Sequence, residues 1–158
     1  MNPTYRKGAN AIVVDSENNF LIVQRTIYDI HQWDFPGGGI KENEIPEQTI
    51  IRELLEEFGT DKFNIITLSK HKIKFDWPQD IIEGYLRDKG KHYLGQEKYQ
   101  FLVKFTGNKK DIVIDTTELA KIKWVKYKDL KQHLIFAGQW ENAELVIKDF
   151  VENKFISI

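Results

Sequence analysis

Gly38-Gly39-Ile40-Lys41-Glu42-Asn43-Glu44-Ile45 leads into Pro46-Glu47-Gln48-Thr49-Ile50-Ile51-Arg52-Glu53-Leu54-Leu55-Glu56-Glu57-Phe58, and Gly59-Thr60 closes the stretch. Pro46 suits the first turn of a helix, where a backbone donor has no intrahelical partner. Gly59 suits the left-handed residue that stops a helix. The spacing therefore predicts a helix over 46–58. At about 3.6 residues per turn, Ile51, Leu54, Leu55 and Phe58 are expected on its apolar face. Glu53, Glu56 and Glu57 are expected on the opposite, exposed face. Their side chains start about 5–6 Å apart, so three carboxylates repel one another. The negative end of the helix dipole adds to the strain. Two readings are open. One is a solvated acidic face of the kind most surface helices carry. The other is a site for a hard divalent cation, which prefers carboxylate oxygens and bridges to phosphate. Gly37, Gly38 and Gly39 just upstream allow a tight turn, and also a close approach of backbone to an ion or ligand. Glu44, near the helix start, is placed to pair with Arg52 and orient it rather than to react.

Outward from this stretch, Ala9 to Val14 and Phe20 to Val23 read as strands joined by the turn residues Asp15 to Asn19. Phe63 to Leu68, Gln100 to Phe105, Ile112 to Ile114 and Ile122 to Val125 read as further strands. Gln79 to Lys91 reads either as a short helix or as a long loop. Asn142 to Phe150 has the apolar spacing of a terminal helix. Strands, one central helix, more strands and a final helix make an α/β sandwich the expected class.

The chain has 158 residues, enough for one domain. Lys plus Arg total 23 and Asp plus Glu 24, a net charge of −1. That balance removes the global argument for a DNA-coating protein. There is no cysteine, so thiolate chemistry and cysteine-held metals are excluded. Any metal must sit on oxygen or imidazole. His31, His71, His92 and His133 have no metal-ligand spacing. No apolar run is long enough to span a membrane, and the polar start lacks a signal-peptide core. The expectation is a soluble, cytoplasmic protein.

The stretch from Gly38 to Thr60 resembles the Nudix hydrolase family, whose box is G-x5-E-x7-R-E-U-x-E-E-x-G-U with U aliphatic. Gly38, Glu44, Arg52, Glu53, Leu54, Glu56, Glu57 and Gly59 all match. Thr60 departs, standing where an aliphatic residue is usual. The resemblance implies one Nudix domain over residues 1–158 and an α/β/α sandwich with a mixed central sheet. It implies Mg²⁺-dependent hydrolysis of a nucleoside diphosphate linked to another group, with Mn²⁺ able to substitute. By position, Glu56 and Glu57 would be metal ligands. Glu53 would be a further ligand or would position water. Arg52 and Glu44 would hold these carboxylates, and Gly38 would offer its backbone to the metal.

Trp33-Asp34-Phe35-Pro36, Phe75-Asp76-Trp77-Pro78, Gly95-Gln96 and Phe101-Leu102 resemble the branch holding diadenosine tetraphosphate hydrolases and bacterial RNA pyrophosphohydrolases. In that branch a late Glu before a Trp is a base or extra ligand. Glu118, ahead of Trp124, takes that place. The branch carries a phosphate-gripping Lys or Arg after its Gly-Gln-x-Gln. Here that position is Tyr99, with Lys98 one step away and, on a strand, facing the other way. Arg25, at a strand end, is expected to hold phosphate through paired hydrogen bonds. Tyr28 and Trp77 are expected to stack on a base. The predicted substrate is a dinucleoside polyphosphate such as diadenosine tetraphosphate. The 5′-triphosphate end of RNA is the first alternative, and a nucleotide-binding Nudix domain without catalysis the second. Loss of a box carboxylate would have favoured the last, and all are present.

Overall fold

β1 (Thr4–Val14) is the spine of the molecule because its side chains alternate between two buried faces. In the computed structural model, which describes residues 2–158, Ala9, Ala11 and Val13 face one core, and Ile12 and Val14 the other. The remaining strands are β2 (Phe20–Arg25), β3 (Gly37–Gly39), β4 (Phe63–Leu68), β5 (Ile73–Asp76), β6 (Tyr93–Phe105) and β7 (Leu119–Val125). The seven-stranded sheet runs β4-β6-β1-β2-β7, with β3 paired to β1 and β5 to β6. β1 and β6 are parallel and the other pairings antiparallel. The sheet is therefore mixed.

α1 (Pro46–Phe58) covers one face through Ile50, Leu54 and Phe58. Each such burial is worth about 1.5–3 kcal/mol. α3 (Tyr127–His133) and α4 (Gln139–Glu152) cover the other face through Leu130, Ala143, Val146, Ile147 and Phe150. This is the expected helix–sheet–helix sandwich. α2 (Gln79–Lys89) packs beside β6, which settles the open reading of 79–91 in favour of a helix ended by Gly90.

Three expectations change. Ile51 and Leu55 do not face the core: both are exposed, and the buried stripe of α1 is Ile50, Leu54, Glu57 and Phe58. Packing rotates the helix by about one position, so Glu57 joins the buried side rather than the solvated one. Ile112 to Ile114 is not a strand. Val113 N–H donates to the Phe58 carbonyl and Asp115 N–H to that of Glu57. That backbone caps open carbonyls at the end of α1 instead of joining a strand ladder. Finally, β1 and β6 start well before the predicted Ala9 and Gln100. These polar extensions lacked an apolar signal, yet they carry part of the site.

Candidate active site

α1 presents Glu53, Glu56 and Glu57 at one end of the sheet, and β3 passes directly beneath them. The register pairs Gly38 with Ala9 and Gly37 with Asn10. A methyl group on Gly38 would collide with the Glu53 carboxylate. Gly38 thus lets that carboxylate lie against the backbone, the close approach its residue type allows. Gly37 has φ +147° and its missing side chain would meet the Ala9 carbonyl.

Arg52 is the hub. Its Nε and Nη2 donate to the two oxygens of Glu44, at 2.8 and 2.9 Å. Its Nη1 donates to Glu53 at 2.9 Å and reaches Glu56 at 3.5 Å, and its Nη2 also reaches the Gly39 carbonyl. Glu44 further accepts from Thr49 Oγ1 at 2.6 Å and from Lys41 N–H. The Arg52 fork, then Thr49, hold the Glu44 carboxyl down to about 2 despite some burial. Arg52 is correspondingly raised, chiefly by Glu44. Arg52 thus ties Glu44, Glu53 and Glu56 into one hydrogen-bonded group.

Glu57 is different. It is 2% exposed, pairs with Arg25 Nη1 at 3.2 Å through one oxygen, and leaves the other buried without a partner. Burial pushes its carboxyl up to about 7. Arg25 opposes the shift, and Glu53 and Glu118 add to it. Glu53 is also raised, first by burial, with Arg52 opposing. A buried bare carboxylate oxygen is costly unless a proton or a cation satisfies it. All the donors here are oxygens, the set that Mg²⁺ and Mn²⁺ select, so the residues fit such an ion. Among the described residues no three His, Asp or Glu side chains converge as a finished ligand set. Arg52 draws Glu53 and Glu56 one way, and Arg25 draws Glu57 the other. Glu118 lies exposed in the turn before β7, close enough for its charge to act on both Glu53 and Glu57.

The substrate-side residues separate. Arg25 is in the site, spent partly on Glu57 and on the Gly37 carbonyl. Tyr28 lies beside it, with its hydroxyl donating to Asp34 and its ring edge-on to Phe136 at 5.3 Å. Burial and Asp34 push the Tyr28 phenol up to about 12. Trp77 does not stand free: its ring is packed with Tyr85 and Tyr93. Lys98 faces the same cleft, donating to Asn10 Oδ1 at 3.3 Å. Burial lowers its ammonium. Tyr99 faces the other side of the sheet, against the α1 core and under Lys72. Of the two expected substrate-side residues on β6, Lys98 therefore faces the cleft and Tyr99 does not. Arg6, Asn10 and Asp34 also reach this cleft. The β1–β6 register brings in Arg6 and Asn10, which nothing in their sequence setting marked, and the Val23–Asp34 bridge brings in Asp34, which the sequence marked only as part of a motif.

A mixed sheet between helices carries a glycine strand under an Arg-clamped acidic helix, and the side chains gathered there offer oxygen donors. The NUDIX domain profile matches residues 4–147, and the chain belongs to the Nudix family of hydrolases. Members of that family generally use divalent metal ions. It is 32% identical over 148 residues to the RNA pyrophosphohydrolases of Rickettsia africae and Rickettsia canadensis, covering 92% of this chain and 89% of each of theirs. The dihydroneopterin triphosphate pyrophosphohydrolase of E. coli shares the fold at TM-score 0.69 and 18% identity, covering 92% of this chain and 99% of its own. The Ap4A hydrolase of C. elegans does so at 0.65 and 18%, covering 94% and 99%.

Proposed function

We propose that this chain, taken as one Nudix domain with its box at 38–60, is a metal-dependent pyrophosphohydrolase that acts in the cytoplasm on the 5′-triphosphate end of RNA. The observation that carries the metal chemistry is the buried, unpartnered oxygen of Glu57 beside Glu53. Glu53, Glu56 and Glu57 would hold Mg²⁺ or Mn²⁺, with the backbone at Gly38 and with Glu118 assisting. Such an ion, when bound, neutralises phosphate charge and acidifies water. The chain's own residues do the rest. Arg52 and Glu44 fix the carboxylates, and Arg25 balances Glu57 and faces phosphate. A carboxylate of the site takes the proton of the attacking water. The water oxygen bonds to phosphorus, and the anhydride P–O bond breaks with its electron pair on the departing pyrophosphate.

RNA is favoured over a small nucleotide because the curated relatives at 32% identity are RNA pyrophosphohydrolases. A dinucleoside polyphosphate is the second reading. Tyr28, edge-on to Phe136, lies near Arg25, and Tyr85 lies 5.9 Å from Arg6. Rings near both cations are what two bases would need.

The test is a panel with Mg²⁺: 5′-triphosphate RNA, diadenosine tetraphosphate, a mononucleoside triphosphate and a nucleotide sugar. Pyrophosphate release from the RNA should lead. Faster formation of ATP and AMP from diadenosine tetraphosphate would move the assignment to the second reading. Ligand binding with no turnover anywhere would leave a binding domain and sink the proposal.

A further inference from the structure

We infer that Gln139 is a positioning residue: it clasps the loop over 26–34 to the loop over 134–138, and so sets the Tyr28–Phe136 ring pair beside Arg25. This rests on the nucleotide reading above, in which a base lies next to the phosphates. Gln139 opens α4 and is half-buried. Its Nε2 donates to the Trp33 carbonyl at 2.7 Å and reaches Asp34 Oδ1 at 3.4 Å. Its Oε1 accepts from the Phe136 N–H at 3.1 Å. One side chain thus uses both its donor and its acceptor ends, one on each loop. The amide has a single workable orientation. Turned over, it would set its oxygen against the Trp33 carbonyl and its nitrogen against the Phe136 N–H. Gly138 lets the side chain fold back on Phe136, because its φ of +76° lies in the region that glycine tolerates.

Packing alone does not set these loops. Trp33 is buried, but Ile27 and Ile30 before it are 87% and 64% exposed, and Ile135 is 53% exposed. Segments with few buried apolar contacts open readily, so hydrogen bonds decide where they sit. Gln24, buried on β2, holds the middle of the first loop through the carbonyls of Asp29 and Ile30. Gln139 holds its far end and also reaches the second loop. Each end of the clasp leads to a ring. Phe136 hangs on the backbone N–H that Gln139 accepts. Tyr28 hangs on Asp34, whose Oδ2 accepts the phenol at 3.3 Å while Oδ1 takes the Phe35 N–H at 2.7 Å and the Gln139 amide. The two rings then meet edge-on at 5.3 Å. Asp34 also lies near enough for its charge to act on Arg25. The clasp therefore fixes a ring wall and a carboxylate together, beside the guanidinium that faces phosphate.

Variants of the full chain separate the two ends of the clasp. Gln139→Met keeps the length and loses every bond. Gln139→Glu still accepts from Phe136 but cannot donate to Trp33. Gln139→Lys still donates to Trp33 and Asp34 but cannot accept from Phe136. Amide hydrogen exchange, read residue by residue by NMR, reports each end. The Phe136 amide should exchange about three- to tenfold faster in the Met and Lys variants but not in the Glu variant, the scale of one net hydrogen bond. The Phe35 amide, which depends on Asp34, should exchange faster in the Met and Glu variants but not in the Lys variant. A melting curve for each variant checks the fold. In turnover of 5′-triphosphate RNA, Gln139→Met should raise KM by about threefold or more with a smaller fall in kcat, as loss of binding common to ground and transition state does. Unchanged exchange at Phe136 and Phe35 in all the variants overturns the clasp. Faster exchange with KM unmoved overturns the positioning role and leaves a structural tie. Exchange as expected, in a chain that hydrolyses none of the panel, supports the clasp and sinks the enzyme reading.

Discussion

The two sides of β3 handle charge in opposite ways. On the α1 side, acids and bases are matched almost atom for atom. Arg52 holds Glu44 and Glu53, Arg25 holds Glu57, and one carboxylate oxygen is left bare. On the other side, Arg6 and Lys98 make no ion pair among the described residues, although Asp34 lies near enough for its charge to act on Lys98. The first side keeps an unpartnered carboxylate oxygen, and the second keeps two cations outside any salt bridge. On the function proposed above, a metal-bound polyphosphate would meet both.

The sharpest way to break this comparison is at Glu57. Glu57→Gln keeps the shape and removes the charge. Turnover should fall by about a thousandfold or more, the scale expected when electrostatic stabilisation of the reacting centre is lost. The rise in melting temperature on adding Mg²⁺ should shrink, since a ligand stabilises the folded state in proportion to its affinity. In the absence of metal the melting temperature should change little, because the burial cost of the carboxylate and its pairing with Arg25 are lost together. Wild-type turnover in this variant would remove Glu57 from the site.

Arg52→Ala comes next and separates orientation from ligation. It strips Glu44 and Glu53 of their partner, and the cost should be about 2–3 kcal/mol, below the range for fully buried pairs because Arg52 keeps some exposure. Chemical denaturation reads it directly. Arg52→Lys should recover part of the stability, and less of the activity, since an ammonium cannot reproduce the fork. Full recovery of both would show that the charge alone matters.

These two positions were legible in the sequence because one helix and its leading loop carry them. Spacing along a single element fixes which side chains are neighbours, so Glu44, Arg52, Glu53 and Glu57 could be assigned by position. What the helix could not give was its own rotation. Ile51 and Leu55 looked as apolar as Ile50 and Leu54, and only packing against β1 and β6 decided which pair was buried. That same rotation buried Glu57. The second side was not legible, because Arg6 and Lys98 lie far apart in sequence and meet through the parallel register of β1 and β6. Both strands extend past their apolar cores there, where alternation gives no signal.

A smaller effect sharpens the contrast through pH. Glu44 is held down to about 2 in the folded chain, against an unfolded value near 4.5. Its folded pKa is depressed, so its contribution to stability is fully present above about 4.5 and fades as pH falls toward 2. Glu44→Gln should therefore cost stability at pH 7 and progressively less as pH drops through that window. Denaturation curves at pH 6, 4 and 3 measure the narrowing gap. A gap constant with pH would mean that Arg52 does not hold Glu44 in solution.

The smallest expected effect is at Tyr99, and it tests which residue of β6 faces the substrate. Lys98 and Tyr99 are neighbours on one strand, so they point to opposite faces. Tyr99 packs toward Phe101 and α1, with Lys72 over its ring at 5.3 Å. Tyr99→Lys places a basic residue where the branch usually has one. If register rather than residue type governs, the new ammonium lands on the α1 side, beside Lys72 and away from the phosphates. KM should then stay within about twofold. The fold should lose about 1 kcal/mol, typical of point substitutions that remove packing. A clear fall in KM would show that residue 99 reaches the phosphates, and that the division of labour across β6 is the reverse of the one described.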